Sequence, residues 1–432
     1  MRRRIDMHIH RLQLERFRGA QYLSLEFHEK LNVFVGMNGA GKSSILDATA
    51  ILLSWLVNRI KSSAASGRPI TESDIRNGES SAKLESALSG AGTAFAWNIV
   101  KVRKGYSKKD IHSFLTFASK FAGLMQSAIS DSNGQVNLPL FAYYPVNRAV
   151  LDIPLRIREK HRFDLLSAYD DSLTSGANFR TFFEWYRERE DLENEARRDQ
   201  QTFFADSSTA QFPDPQLEAV RNALELFMPE FKNLTVRRNP LRMEVEKNGE
   251  RLTVNQLSDG EKCLMAMVGD LARRMAIANP MRDNPLEGEG VILIDEIDLH
   301  LHPKWQRMLV PKLTEVFPYC QFLISTHSPH VITHVQPENL FLLAMGEEGL
   351  TAFRPTESYG KTVERVLEDL MGLETTRPDD VTEDLQRLFE QIDSGDLEDA
   401  QSSIEKLKTR IGEDPELVKA GVLIKRKELI GK

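Results

Sequence analysis

The run Gly36-Met-Asn-Gly-Ala-Gly41-Lys42-Ser43 fits the pattern G-x-x-x-x-G-K-[S/T], and its residue types suit one task, the holding of phosphate. Glycines let the backbone curl until its N–H groups face phosphate oxygens, and the positive end of a following helix meets the same charge. At this spacing Lys42 reaches β- and γ-phosphates while the Ser43 hydroxyl ligates Mg2+. Gly36, Asn38, Gly39, Ala40, Gly41, Lys42, Ser43 and Ser44 are therefore the candidate nucleotide contacts.

A second chemical signal is Val291-Ile-Leu-Ile-Asp295-Glu296. Four apolar residues place Asp295 at the carboxyl end of a buried strand, the edge where ligands of open α/β sheets bind. Asp295 can complete a Mg2+ shell with Ser43, and the adjacent Glu296 can orient, or take a proton from, an attacking water. Gln321-Phe-Leu-Ile-Ser-Thr-His327 repeats the arrangement and places His327 where a γ-phosphate would lie. Glu296, Lys42 and His327 are thus the candidate catalytic groups. Five of the ten histidines fall between His300 and His334. A metal site using His300 and His302 is one account of them; a loop leading into a helix that starts at Pro303 is the other.

The third stretch, Leu257-Ser-Asp-Gly-Glu-Lys262, reads locally as a capping box, in which Ser258 and Glu261 bond each other's backbone N–H. The helix behind it carries Leu264, Met267, Val268, Leu271 and Met275 on one face.

The elements that must position these residues follow from periodicity. Leu12 and Leu14, then Leu23, Leu25 and Phe27, alternate around an Arg18-Gly19 turn, which predicts two antiparallel strands. Leu31 to Val35 is a strand buried on both faces, and Ile45, Leu46, Thr49, Leu52, Leu53 and Leu56 mark the helix after the glycine loop. Ser62 to Gly92, rich in Ser, Gly and Ala, reads as loops and short exposed elements. Strands are expected at 94–102, 138–144, 234–236, 241–245, 291–294 and 321–324, with a charged helical segment around Trp185, broken at Pro213-Asp-Pro215. Three amphipathic helices close the chain, marked by Leu385, Leu388, Phe389 and Ile392, by Leu397, Ala400, Ile404, Leu407 and Ile411, and by a start at Asp414-Pro415. Strands alternating with helices imply a parallel sheet with helices on its faces.

With 432 residues the chain has room for two or three domains. Its net charge of −7 excludes a whole-surface basic field, although Lys101-Val-Arg-Lys104 with Lys108-Lys109, and Arg237-Arg238 with Arg242, are local basic clusters of the kind common on solvated surfaces. Arg2, Arg3 and Arg4 have no apolar segment behind them, and the longest apolar run, near Ala50 to Val57, is too short to span a membrane. Cys263 and Cys320 sit in apolar runs as expected of buried thiols in a reducing cytoplasm.

The order glycine loop, LSDGE, Asp-Glu, His resembles the ABC-type ATPases over most of the chain. Leu12-Gln-Leu-Glu-Arg-Phe-Arg-Gly19 is similar to the opening of the SMC and RecF-like branch, and the 44–257 interval lacks the heptads of a long arm. Asp295-Glu-Ile-Asp-Leu-His-Leu-His302-Pro303, Ser325-Thr-His-Ser-Pro329, Tyr359-Gly-Lys361, Leu370-Met-Gly372 and Arg377-Pro378 resemble the bacterial PtuA group of the Septu anti-phage systems, some of which accompany retrons.

The resemblance implies an α/β ABC-type head with mixed N-terminal strands and a parallel sheet, a helical lid and a small helical tail. The expected divisions are 1–150 and 233–376 for the head, 151–232 for the lid and 377–432 for the tail. It implies ATP and Mg2+ as ligands, slow hydrolysis, and a homodimer or larger assembly in which Ser258, Gly260 and Glu261 cap the γ-phosphate held by another copy. Asp259 and Glu261 depart from LSGGQ, and no glutamine marks a Q-loop, whose place Asn147-Arg148 occupies. A partner HNH nuclease, PtuB-like, is implied, with no nuclease expected in this chain, no membrane, and DNA as a further ligand. A RecF-like repair factor gripping DNA and a nucleotide-gated scaffold with little turnover are the alternatives.

Overall fold

The computed structural model describes residues 7–90, 93–107, 112–146, 163–174, 179–201 and 212–430. The chain divides into two compact units, Met1–Val363 and Glu364–Lys432. In chain order the first contains β1 (His8–Phe17), β2 (Ala20–Glu26), β3 (Leu31–Val35), α1 (Lys42–Lys61), β4 (Ser81–Gly90), β5 (Thr93–Val102), α2 (Thr116–Asp131), β6 (Leu140–Tyr144), α3 (Phe179–Gln201) and α4 (Pro215–Phe227). It continues with β7 (Phe231–Arg238), β8 (Leu241–Lys247), β9 (Glu250–Thr253), α5 (Asp259–Ala278), β10 (Gly290–Ile294), α6 (Pro303–Val316), β11 (Cys320–Ser325), α7 (Pro329–Ile332), β12 (Leu340–Gly346) and β13 (Gly349–Phe353).

Every residue of β3, β6, β10 and β11 is buried, so these strands can only lie inside a sheet covered on both faces. They form the centre of a six-stranded sheet of order β13-β12-β3-β11-β10-β6, parallel except for the β12–β13 hairpin. The register pairs Ile294 with both Ile324 and Tyr144, which brings the carboxyl ends of β10, β11 and β6 to one edge. A second, antiparallel sheet has the order β2-β1-β4-β5. Helix α1 shares one core with strands of both sheets: Leu46, Leu53 and Leu56 belong to the same cluster as Leu14, Leu84, Trp97, Phe141 and Leu323. Burying each such leucine contributes about 1.5–3 kcal/mol, which fixes the helix that carries Lys42.

Ser81–Gly90 corrects the expectation of loops over 62–92, for it is a ten-residue strand between β1 and β5, with Leu84 opposite both Leu14 and Ile99. Its serines and alanines suggest a turn, yet Ala82, Leu84 and Leu88 point inward with a period of two. Helix α2 is also absent from the periodicity reading. It is held by Phe121, whose ring meets Phe95 edge-on with centroids 5.3 Å apart. Helix α4 starts where the Pro-Asp-Pro run breaks the pattern: Asp214 accepts the Leu217 N–H at 2.8 Å and Pro215 occupies the first turn. Both α3 and α4 pack on α5.

The second unit comprises the rest of α8 (Val363–Asp369), then α9 (Asp379–Ser394), α10 (Leu397–Ile411) and α11 (Pro415–Ile430). Leu385, Leu388, Ile392, Leu407, Leu417 and Ile424 make its own core, and Arg377 grips Asp414 through two bonds of 2.9 and 3.1 Å. Among the described residues no helix is long and apolar enough to cross a membrane. Cys263 and Cys320 are buried thiols that form no disulfide.

Candidate active site

The loop between β3 and α1 takes its shape from two left-handed glycines, Gly39 at φ 81° and Gly41 at φ 90°, a region that side chains disfavour. Close packing constrains it further. A Cβ on Gly36 would meet the Leu343 carbonyl oxygen at 2.6 Å, and one on Gly41 the Leu350 side chain at 2.7 Å. No acidic residue occupies the first turn of α1, so its N-terminal positive potential faces the loop uncompensated. The Lys42 ammonium donates to the carbonyls of Gly36 at 2.9 Å and Met37 at 3.2 Å. Burial pushes the Lys42 pKa down, and Glu296, Asp295 and Asp298 offset this only in part.

Asp295 follows β10 and is buried; its backbone N–H donates to the Tyr144 carbonyl at 2.8 Å. Ser325, the last residue of β11, links the acid pair. Its hydroxyl donates to the Asp295 carboxylate and accepts the Glu296 N–H at 2.8 Å. Glu296 is held at φ 45°, a left-handed conformation that costs on the order of 1–2 kcal/mol, so its direction is imposed by these neighbours. Asp298 accepts the Thr326 hydroxyl at 2.5 Å. His327 comes next and is half-buried. Burial first and the Lys42 charge second lower its pKa, against the raising influence of Glu296, Asp298 and Asp295.

Lys42, Asp295, Glu296 and His327 therefore lie within one another's electrostatic reach at a single sheet edge. Ser43, next to Lys42, and Asp295 offer hard oxygen donors of the type Mg2+ prefers, and packing against Leu343 and Leu350 keeps the loop at Gly36 and Gly41 free of side chains, so these residues fit that ion.

The LSDGE tip is the N-terminus of α5. Ser258 is exposed and accepts the Glu261 N–H at 3.4 Å, while the Glu261 carboxylate accepts the Ser258 N–H at 2.8 Å, completing the capping box. Burial would raise the Glu261 pKa, but Lys247 at 2.5 Å and the bonds from Ser258 outweigh it and hold the carboxyl below its ordinary value. Gly260 is buried beside His300. His302 caps α6, its Nδ1 accepting the Lys304 N–H at 3.2 Å. Among the described residues no group of three His, Cys, Asp or Glu side chains is arranged to hold a metal.

Sequence reasoning missed Ser325, Thr326 and Asp298 as members of the site. The signal lies in the polar triplet Ser325-Thr-His327 that ends β11, of which the sequence reading gives a chemical role to His327 only. Asn147-Arg148, the expected Q-loop region, lies outside the described residues.

Comparison with known proteins gives concordant matches. A family model described as "AAA domain" matches residues 11–232, and another, "AAA domain, putative AbiEii toxin, Type IV TA system", matches residues 146–333. The retron Ec83 probable ATPase of Escherichia coli is 31% identical over 422 residues, covering 85% of this chain and 77% of that protein. The Septu protein PtuA of Bacillus thuringiensis is 43% identical over 94 residues, 21% of this chain and 24% of that one. Among solved structures, the SMC head domain from Thermotoga maritima aligns at a TM-score of 0.42 and 13% identity, over 81% of this chain and 100% of that chain.

Proposed function

The chain is an AAA-domain ATPase related to the retron Ec83 probable ATPase, and from that premise we propose that it hydrolyses ATP in sites completed between two copies, thereby controlling a partner nuclease in anti-phage defence. The observation that carries this reading is the exposed tip of α5, whose Ser258 hydroxyl accepts, among the described residues, only from within its own capping box. Lys42, Asp295, Glu296 and His327 share one field, whereas Ser258 projects from the α5 tip with its hydrogen bond inside that tip.

In this reading the glycine loop and Lys42 bind the phosphates, and Ser43 with Asp295 would hold Mg2+. The ion supplies charge neutralisation at the phosphates. Glu296, aimed by its left-handed backbone, orients the attacking water and accepts its proton. His327, kept neutral, offers a polar contact to the γ-phosphate without adding charge. Ser258 and the α5 N-terminus of a second copy close the site over the triphosphate, so that positioning and fixed dipoles supply the rate. The relatives named for a retron and for Septu support a place in such defence systems, and the resemblance to the PtuA group is what implies an HNH-type nuclease as the partner.

Glu296→Gln should bind ATP, assemble and fail to turn over. Retained defence activity by that variant would favour the nucleotide-gated scaffold instead. A bulky Ser258→Trp should lose both turnover and assembly, and full-rate hydrolysis by the dilute monomer would sink the two-copy site.

A further inference from the structure

A buried cluster formed by Tyr144, Asp270, Arg273 and Arg274 takes no part in the chemistry above, yet it joins the helix of the LSDGE tip to the strand of the metal aspartate. Asp270 lies on α5, roughly 18 Å along the helix from Ser258 at about 1.5 Å per residue. Its carboxylate accepts from Arg273 and Arg274 at 2.7 Å each and from the Tyr144 hydroxyl at 3.0 Å. Arg274 continues to the carbonyls of Ala168 and Asp170 at 2.8 Å each. Tyr144 ends β6, and its own carbonyl accepts the Asp295 N–H at 2.8 Å. One residue thus holds α5 through its side-chain hydroxyl and Asp295 through its backbone carbonyl.

Stability alone does not call for this arrangement. Buried charges are costly to desolvate, apolar residues of similar volume commonly serve as well, and the Arg273 Nε finds no hydrogen-bond partner among the described residues. What the cluster does supply is directional. An α5 that shifts along its axis must carry the Asp270 carboxylate with it, and Tyr144, bonded to Asp270 by its hydroxyl and to Asp295 by its backbone carbonyl, transmits that shift to the end of β10.

We propose that Tyr144 and Asp270 are positioning residues that tie the α5 tip to Asp295, so that capture of a second copy's triphosphate at Ser258 sets the metal aspartate of the same chain for its own hydrolysis. This rests on the two-copy reading of the site. It makes the two ATP sites of a pair cooperative, since each chain's Ser258 acts on one site and its Asp295 on the other.

The test uses the full chain. Tyr144→Phe keeps the ring and removes one hydroxyl, and Tyr186→Phe is the control, because it removes another buried hydroxyl bond, to the Leu234 carbonyl at 2.7 Å, on α3. Both should lower the melting temperature slightly. Only Tyr144→Phe should lower kcat, by about tenfold, with ATP affinity within about twofold of the parent. Combined with Ser258→Ala it should be no slower than the slower single variant, since the two act through one link. The link is overturned if Ser258→Ala slows turnover while Tyr144→Phe behaves like Tyr186→Phe, or if the two effects multiply. If Ser258→Ala turns over at the parental rate, the two-copy reading itself fails and takes this proposal with it.

Discussion

A Cβ placed on Gly260 would stand 2.2 Å from the backbone carbonyl oxygen of His300, which is itself held at φ 61° just after the Asp-Glu pair. The glycine of the LSDGE tip is therefore required inside its own chain, whatever it does for a second copy. Gly260→Ala cannot be relieved by turning a flexible side chain, because the obstacle is backbone. It should destabilise the fold by about 1–3 kcal/mol and displace the tip. The check is thermal melting of the nucleotide-free chain: an unchanged melting temperature would mean that the tip and the His300 loop are not packed in this way. Ser258→Ala, at an exposed position, is the cleaner probe of engagement between copies.

Lys42 presents the opposite case, a buried cation whose hydrogen-bond partners are carbonyls and not carboxylates. Removing it relieves a desolvation cost, so Lys42→Ala should melt no lower than the parent without ligand. Binding of ATP should weaken by at least about tenfold, and the melting gain that ATP with Mg2+ gives the parent should vanish. A variant that still gains stability from ATP would show that the loop amides alone hold the phosphates.

Much of this was readable in the chain, for a definable reason. The glycine loop, β10 with Asp295, β11 with His327 and the capping box at Ser258 are local, each set by the order of neighbouring residues. Strand β4 escaped because small residues obscured its alternation; only its place between β1 and β5 makes Ala82 and Leu84 core residues. The Ser325 bridge between Asp295 and Glu296, the Asp298–Thr326 bond and the Gly260–His300 approach join residues about thirty or forty positions apart. The first two exist only once parallel strands are in register and the third only once α5 docks beside the loop after β10, and no periodicity encodes them.

Ser325 should matter more than an ordinary strand serine. Its hydroxyl both donates to Asp295 and accepts from the Glu296 N–H, so Ser325→Ala strips a donor from a buried carboxylate and an acceptor from a strained backbone at once. A loss on the order of 1–3 kcal/mol in positioning predicts a fall in kcat of about tenfold or more. Nucleotide affinity, set mainly at the glycine loop, should change little. Equilibrium binding and single-turnover hydrolysis separate the two, and an effect confined to affinity would refute the bridging role.

His327 predicts a pH dependence whose sign can be worked out. Burial and then the Lys42 charge lower its pKa from the ordinary 6.5, so near neutral pH the folded chain carries a neutral imidazole. As pH falls below 6.5 the unfolded chain takes up a proton that the folded chain still refuses, and stability drops until the depressed folded value is passed. The contribution is thus present above the ordinary value and lost on the acid side. Between about pH 7.5 and pH 5.5 the parent should lose more melting temperature than His327→Gln, which has nothing to titrate there. Turnover should follow the same rule, since a charged ring beside Lys42 repels the cation that binds phosphate. The acid limb of the kcat/KM profile, which reports the nucleotide-free protein, should therefore lie below the ordinary histidine range and disappear in His327→Gln. Parallel decline of both proteins in melting and in rate would place the imidazole outside the field of Lys42.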